Sequence, residues 1–171
     1  EEVFAEFHEI DLVATKQIIS DSSSAQKQWA EIHIKERISI VSNVGKMILE
    51  NRRQYAEIIT AEMGKPISEA VAEIEKCALL CEYYAENSEK YLEDKSLNSN
   101  AVTSFASYDP LGVIFGIMPW NFPFWQVFRF VVPAIIAGNS ALVKHAPNVQ
   151  ASAVAIEKIF HSGGLPKDIF R

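Results

Sequence analysis

The chain has 171 residues, of which 49% are apolar and 22% charged, a composition that predicts a packed soluble core. Its net charge of −6 is spread without a long run of one sign, which argues against a nucleic-acid or anionic-membrane surface. Arg129, Lys144, prolines and glycines interrupt the longest apolar stretches, so no membrane span is expected.

The chain opens Glu1-Glu2 with neither an initiator Met nor a secretory signal, so its natural start is expected to lie elsewhere. Asp11 suits the cap of a helix running to about Ser20 or beyond, and Ser22-Ser23-Ser24 reads as a loop or a helix irregularity. A second helix is predicted over 32–50, with Ile34, Ile38, Val41, Ile48 and Leu49 among its apolar positions. Asn51 reads as a break before a short helix over 52–62. In Met63-Gly64-Lys65-Pro66, Gly ends one helix and Pro opens the next. Ile67, Ala70, Val71, Ile74, Cys77, Ala78 and Cys81 then recur at helical spacing towards Leu92. The two cysteines share one face of that helix. Core thiols are the preferred reading over a metal half-site or a catalytic thiol, because no His or Cys cluster lies nearby in sequence. So low a count fits a reducing cytoplasm.

The pattern changes after Leu92. Residues 93–100 are polar and loop-like, and the β-branched and aromatic stretch 101–108 reads as a strand. After the turn Asp109-Pro110-Leu111-Gly112 come a buried strand over 113–118, the turn Pro119-Trp120-Asn121-Phe122-Pro123 and an apolar helix over 124–137. A short strand over 141–143 and a helix over 149–160 follow. Alternation of this kind predicts βαβ units and a parallel sheet, hence an α/β fold. Ser162-Gly163-Gly164-Leu165-Pro166 stops the last helix and directs the chain towards a further strand. Two parallel strands alone make a poor sheet, because parallel sheets bury both faces. We therefore expect either the amino-terminal portion of something longer or a short protein that completes its sheet by assembly.

Asn121 sits at a strand-to-helix turn, the place where α/β sheets put their ligands. Its amide can donate to an oxygen that becomes negative during reaction. The simpler reading is that Asn121 caps the helix and the prolines shape the turn.

The flanking sequence carries a resemblance. Glu62-Met63-Gly64-Lys65-Pro66, the run from Pro110-Leu111-Gly112-Val113 into Pro119-Trp120-Asn121-Phe122-Pro123, Ala137-Gly138-Asn139-Ser140-Ala141-Leu142-Val143-Lys144, and Gly164-Leu165-Pro166 resemble, in order, motifs of the aldehyde dehydrogenase superfamily. The resemblance implies part of a doubly wound parallel-sheet cofactor domain. Residues 1–100 would be its amino-terminal helical part, 101–109 an oligomerisation strand and 110–171 its first βαβα part. The catalytic domain would lie outside this chain. The family's chemistry oxidises an aldehyde to an acid with NAD or NADP, through attack by a Cys thiolate. On that basis Asn121 matches the oxyanion donor. Ile117, Met118, Pro119 and Trp120 match the backbone lining the cofactor cleft, and Lys144 matches the lysine that bonds the adenosine ribose. The resemblance also implies a homo-oligomer, dimer or tetramer, acting on a small aldehyde in the cytoplasm.

Two positions depart from the pattern. NAD-preferring members often carry a Glu three residues after the lysine, where this chain has Pro147. A 2′-phosphate then meets no repulsion and His145 can attract it, so NADP is expected to be tolerated beside NAD. Phe130 stands where many relatives have Lys. Arg129 lies eight residues after Asn121, about two helical turns, which suggests a shared helix face. Among Val127, Phe128, Val131 and Val132 a cation needs a partner, and Arg suits a carboxylate. Similar members that oxidise succinate semialdehyde use such an Arg for the substrate's far carboxylate; the other reading pairs Arg129 with a protein carboxylate. No residue matches the nucleophilic Cys, the water-activating Glu or the phosphate-cradling turn. A non-catalytic nucleotide-binding remnant and an assembly protein are the competing functions.

Overall fold

A computed structural model of the chain describes residues 5–171. Four helices come first: α1 (Leu12–Glu31), α2 (Ile34–Glu50), α3 (Arg52–Met63) and α4 (Ile67–Leu92). A short hairpin follows, β1 (Lys95–Ser96) and β2 (Phe105–Ala106), then β3 (Val113–Ile117), α5 (Trp125–Ile136), β4 (Ser140–Lys144) and α6 (Gln150–Ser162).

Asp11 caps α1 as expected, its Oδ1 accepting from the Ala14 amide at 2.7 Å. The serine run is no interruption of α1. Ser22 is buried and donates to the Asp168 carbonyl at 2.7 Å, while Ser24 returns its hydroxyl to the Ser20 carbonyl. Each side chain thus finds an acceptor without opening the helix. Leu49, expected on the apolar face of α2, is exposed, because one residue beyond Ile48 is a 100° rotation away from the core. Gly64 ends α3 in the left-handed region (φ 75°), which a Cβ would disfavour, and α4 begins directly after Pro66.

The core unites α2, α4 and α5 through Val41, Val44, Ile48, Ile74, Cys77, Cys81, Phe128, Val131 and Ile135. Polar side chains fasten α1 to this core at the far end of α5. Trp29 Nε1 donates to the Ile135 carbonyl at 2.8 Å, and Arg37 Nε donates to the Ile136 carbonyl at 2.9 Å. Arg37 Nη1 also reaches the Trp29, Ala30 and Ile32 carbonyls. One cation thereby satisfies the carbonyl ends of two helices, where negative partial charge collects.

β3 and β4 pair in parallel, with Val113 opposite Ser140 and Ile117 opposite Lys144. The last residues pair along the other edge of β4: the Ala141 amide donates to Ile169 and the Val143 amide to Arg171, each at 2.8 Å, with a parallel bridge between Ala141 and Phe170. The expected further strand therefore starts where the Gly-Gly-Leu-Pro turn sends it, and β4 is central. The strand expected over 101–108 is reduced to Phe105–Ala106, and its antiparallel partner lies at Lys95–Ser96, inside the stretch read as loop. Phe105, Leu97 and Val102 are exposed, so little apolar contact extends the pairing. Among the described residues, no helix is long and apolar enough to cross a membrane.

Candidate active site

Two turns leave the carboxyl ends of the parallel strands, 118–124 between β3 and α5 and 145–149 between β4 and α6. The strand register brings several predicted site residues together there. Ile117 faces Lys144 across the ladder, and the Met118 amide donates to the Lys144 carbonyl at 3.0 Å. Ile117, Pro119, Trp120, Asn121 and Lys144 are exposed, and Met118 is half-buried. Lys144 Nζ makes one local bond, to the His145 carbonyl at 3.2 Å.

Asn121 is not the helix cap. It precedes α5 by a full turn, and its side chain makes no hydrogen bond among the described residues. The cap comes instead from α4. Glu73 Oε1 accepts from the Phe124 and Trp125 amides at 2.9 and 3.0 Å. Its Oε2 pairs with Lys65 Nζ, which also donates to the Asn121 carbonyl at 2.8 Å and lies 3.9 Å from the centre of the Phe122 ring. Lys65 and Glu73 are both buried. Sequence reading missed these two. The available signal was a Glu on the same face as Ala70, Ile74 and Cys77, since a carboxylate on a core face requires partners.

The same junction supports the second turn. Glu62, at the end of α3, accepts from the Ala151 amide (2.6 Å), the Ser152 amide (2.8 Å) and the Ser152 hydroxyl (2.7 Å), capping α6 across the fold. His145 is buried. Its Nδ1 accepts from the Ala146 amide at 2.9 Å, which leaves the proton on Nε2, facing the Pro123 carbonyl at 2.8 Å. Burial lowers its pKa, outweighing the raising effects of the Pro123 carbonyl and of Glu62 and Glu73. The ring is thus buried with both nitrogens engaged, and it ties one turn to the other. Pro147 is exposed in its turn.

Arg129 is exposed and forms no ion pair among the described residues, so the expected burial that would have demanded a protein partner does not occur. The eight-residue spacing to Asn121 gives no shared helix face either, because Asn121 lies in the turn. Phe130 packs beside Gly116: a Cβ on that glycine would come within 2.9 Å of the ring. Cys77 and Cys81 are core thiols. Burial raises both pKa values, that of Cys81 to about 12, the reverse of what activates a thiolate. No group of three or more metal-ligating side chains occurs among the described residues.

The family model described as the aldehyde dehydrogenase family matches residues 1–171. The chain belongs to the aldehyde dehydrogenase family. A relative from Synechocystis sp., named a probable succinate-semialdehyde dehydrogenase using NADP(+), is 54% identical over 125 residues, 72% of this chain and 28% of its own length. The Escherichia coli succinate semialdehyde dehydrogenase Sad, named for NAD(P)+, is 42% identical over 144 residues, 84% of this chain and 31% of its own. The solved succinic semialdehyde dehydrogenase from Streptococcus pyogenes, in complex with NADP+, superposes with a TM-score of 0.95 at 29% identity. That match covers 99% of this chain and 37% of that one. The chain thus spans about a third of the length of these aldehyde dehydrogenases. Motif order, rather than any single motif, carried the family resemblance in the sequence.

Proposed function

We propose that these residues form the amino-terminal part of an NAD(P)-dependent aldehyde dehydrogenase that oxidises succinate semialdehyde to succinate. The carrying observation is Asn121: an amide without an internal partner among the described residues, exposed beyond the carboxyl end of β3, on a turn whose backbone is fastened by Lys65. An amide placed this way can donate to the oxygen of an aldehyde under attack as it gains charge. Loss of such a donor typically costs about 100- to 1000-fold in rate.

The cofactor is NAD or NADP, and the residues at the sheet's carboxyl edge suit it. Lys144 presents an exposed ammonium beside Ile117 and Met118, and Pro147 brings no carboxylate that would repel a 2′-phosphate. When bound, the nicotinamide would supply the hydride acceptor. Lys144 would hold the ribose, residues 117–120 would line the cleft, and Asn121 would hold the aldehyde oxygen. The attacking thiolate comes from a part of the protein outside these residues, since Cys77 and Cys81 are buried with raised pKa values. The β3–β4 pair and the strand begun at Ile169 are read as the start of a doubly wound cofactor sheet, and the β1–β2 hairpin, with exposed Phe105 and Tyr108, as an oligomerisation element of a dimer or tetramer.

Succinate semialdehyde as substrate rests on Arg129, which is exposed and without an ion-pair partner among the described residues, and on the names of the relatives. The test compares the complete enzyme with its Arg129→Leu variant, using succinate semialdehyde and butanal with NADP. A carboxylate bound by Arg is worth about 1.5–3 kcal/mol, or about 10- to 100-fold. The KM for succinate semialdehyde should rise by that factor while that for butanal barely moves. Equal shifts for both aldehydes would remove Arg129 from the substrate site.

A further inference from the structure

Lys65 and Glu73 form an ion pair whose side chains are 6% and 1% exposed. Every hydrogen bond the pair makes beyond itself goes to one place. Lys65 reaches the Asn121 carbonyl, and Glu73 reaches the Phe124 and Trp125 amides. The bond from Lys65 is also the only hydrogen bond made to residues 119–121 among the described residues. The other bonds to the turn among the described residues lie on either side of that stretch: Met118 donates to β4, the Phe122 carbonyl accepts from the Gln126 amide, the Pro123 carbonyl accepts from His145, and Phe124 donates to Glu73 of α4. Burying two charges is expensive, and a well-packed apolar pair of the same volume is often as stable or more so. What the ion pair supplies that apolar side chains cannot is direction: an ammonium that fixes the orientation of the Asn121 peptide, and a carboxylate that fixes where α5 begins.

We infer that Lys65, held by Glu73, is a positioning residue for the oxyanion donor, acting on the reaction through the Asn121 backbone and not by touching substrate. This rests on the reading of Asn121 given above. The pair lies on the far side of the turn's backbone from solvent, so its effect is to keep the exposed amide at one place and angle. A displacement of about 1 Å in a reacting geometry can cost about 100-fold. The inference therefore predicts a kinetic signature in kcat with little change in cofactor KM.

The experiment is a double-mutant cycle in the complete enzyme. Removing Lys65 alone would strand a buried carboxylate, so the test variant is Lys65→Met with Glu73→Gln, which removes both charges together. Its kcat for aldehyde oxidation should fall about 30- to 100-fold with the KM for NADP within about threefold. In an Asn121→Ala background the same pair of changes should cost less than about threefold, because the group they position is gone. Lys65→Arg, which keeps a cation but moves its donors, should lie between the two. An undiminished kcat in the folded double variant, or an equal loss with and without Asn121, would overturn the inference and leave the pair a purely structural one. If the double variant does not fold, Lys65→Arg carries the same cycle and the same criteria. Wild-type turnover separates the two levels of the argument. An enzyme that oxidises other aldehydes but not succinate semialdehyde refutes the substrate reading and leaves the cycle readable. An enzyme that oxidises no aldehyde overturns both.

Discussion

Replacing Glu62 by Ala removes three hydrogen bonds at once from the start of α6, two from backbone amides and one from the Ser152 hydroxyl. α6 has no side-chain cap of its own at Val149, so nothing local replaces them. Capping is worth about 1 kcal/mol and bonds to a charged acceptor about 1.5–3 kcal/mol, which together place the local loss at about 2–3 kcal/mol. That corresponds to a 30- to 150-fold rise, roughly, in local opening of the first turn of α6. Amide hydrogen exchange followed by NMR or mass spectrometry reads this directly. Protection at Ala151 and Ser152 should drop by that factor, while the amides of α1 keep theirs. Glu62→Gln, which retains one carbonyl acceptor without charge, should lose roughly half as much in free energy. Unchanged exchange in α6, or an equal loss throughout the chain, would show that the cap does not act locally as described.

Three further outcomes are expected. Pro147→Glu places a carboxylate in the turn after Lys144 and should raise the KM for NADP about tenfold while leaving that for NAD nearly unchanged, measured by steady-state kinetics of the complete enzyme. His145 has a lowered folded pKa, so its contribution to stability is complete above its unfolded value of about 6.5 and is lost as pH falls below it. Thermal midpoints taken between about pH 7 and 5 should fall more steeply for the wild type than for His145→Gln, and identical slopes would refute the assignment. Gly163→Ala would put a Cβ 2.4 Å from Val44 Cγ2 and 3.2 Å from the Val44 amide nitrogen, forcing α6 away from α2. A loss of about 1–3 kcal/mol follows, visible as a lower thermal midpoint. Val44→Ala should recover only part of it, because the backbone contact stays.

The periodicity of apolar residues was enough to place α2, α4, α5 and both parallel strands to within a few residues, because burial of one face dictates those elements; α1 was located by its Asp11 cap, but its end at Glu31 lies well past the Ser20 expected at the least. Periodicity did not place β1, whose two residues are polar and exposed and owe their pairing to Phe105–Ala106 across the hairpin. The residues at the sheet's carboxyl edge were singled out chiefly by motif resemblance, and the pattern supplied only their setting: Ile117 and Lys144 end the two parallel strands, and Asn121 lies in the turn that follows β3. Arg129 and His145 show the limit of such reading. Residue type suggested a buried cation at Arg129 and a phosphate contact at His145, and the structure holds an exposed cation and a buried ring with both nitrogens engaged. Glu62, Lys65 and Glu73 were invisible as a set because their partners lie 51 to 90 residues away along the chain. No local pattern encodes a contact of that span.

The fastening of both strand-to-helix units, β3–α5 and β4–α6, to the single segment from Glu62 to Glu73 bears on how such a site can be moved or redesigned. The turns themselves are short and contiguous, and they look portable. Their geometry is nonetheless written partly in a helix junction that precedes them by more than fifty residues. A graft of the strand-turn-helix units onto another α/β scaffold would carry Asn121 and Lys144 but not the buried Lys65–Glu73 pair that bonds the Asn121 turn and the start of α5. A chimera with its crossover before α3 inherits the whole arrangement, whereas one with its crossover at the hairpin inherits only the visible half.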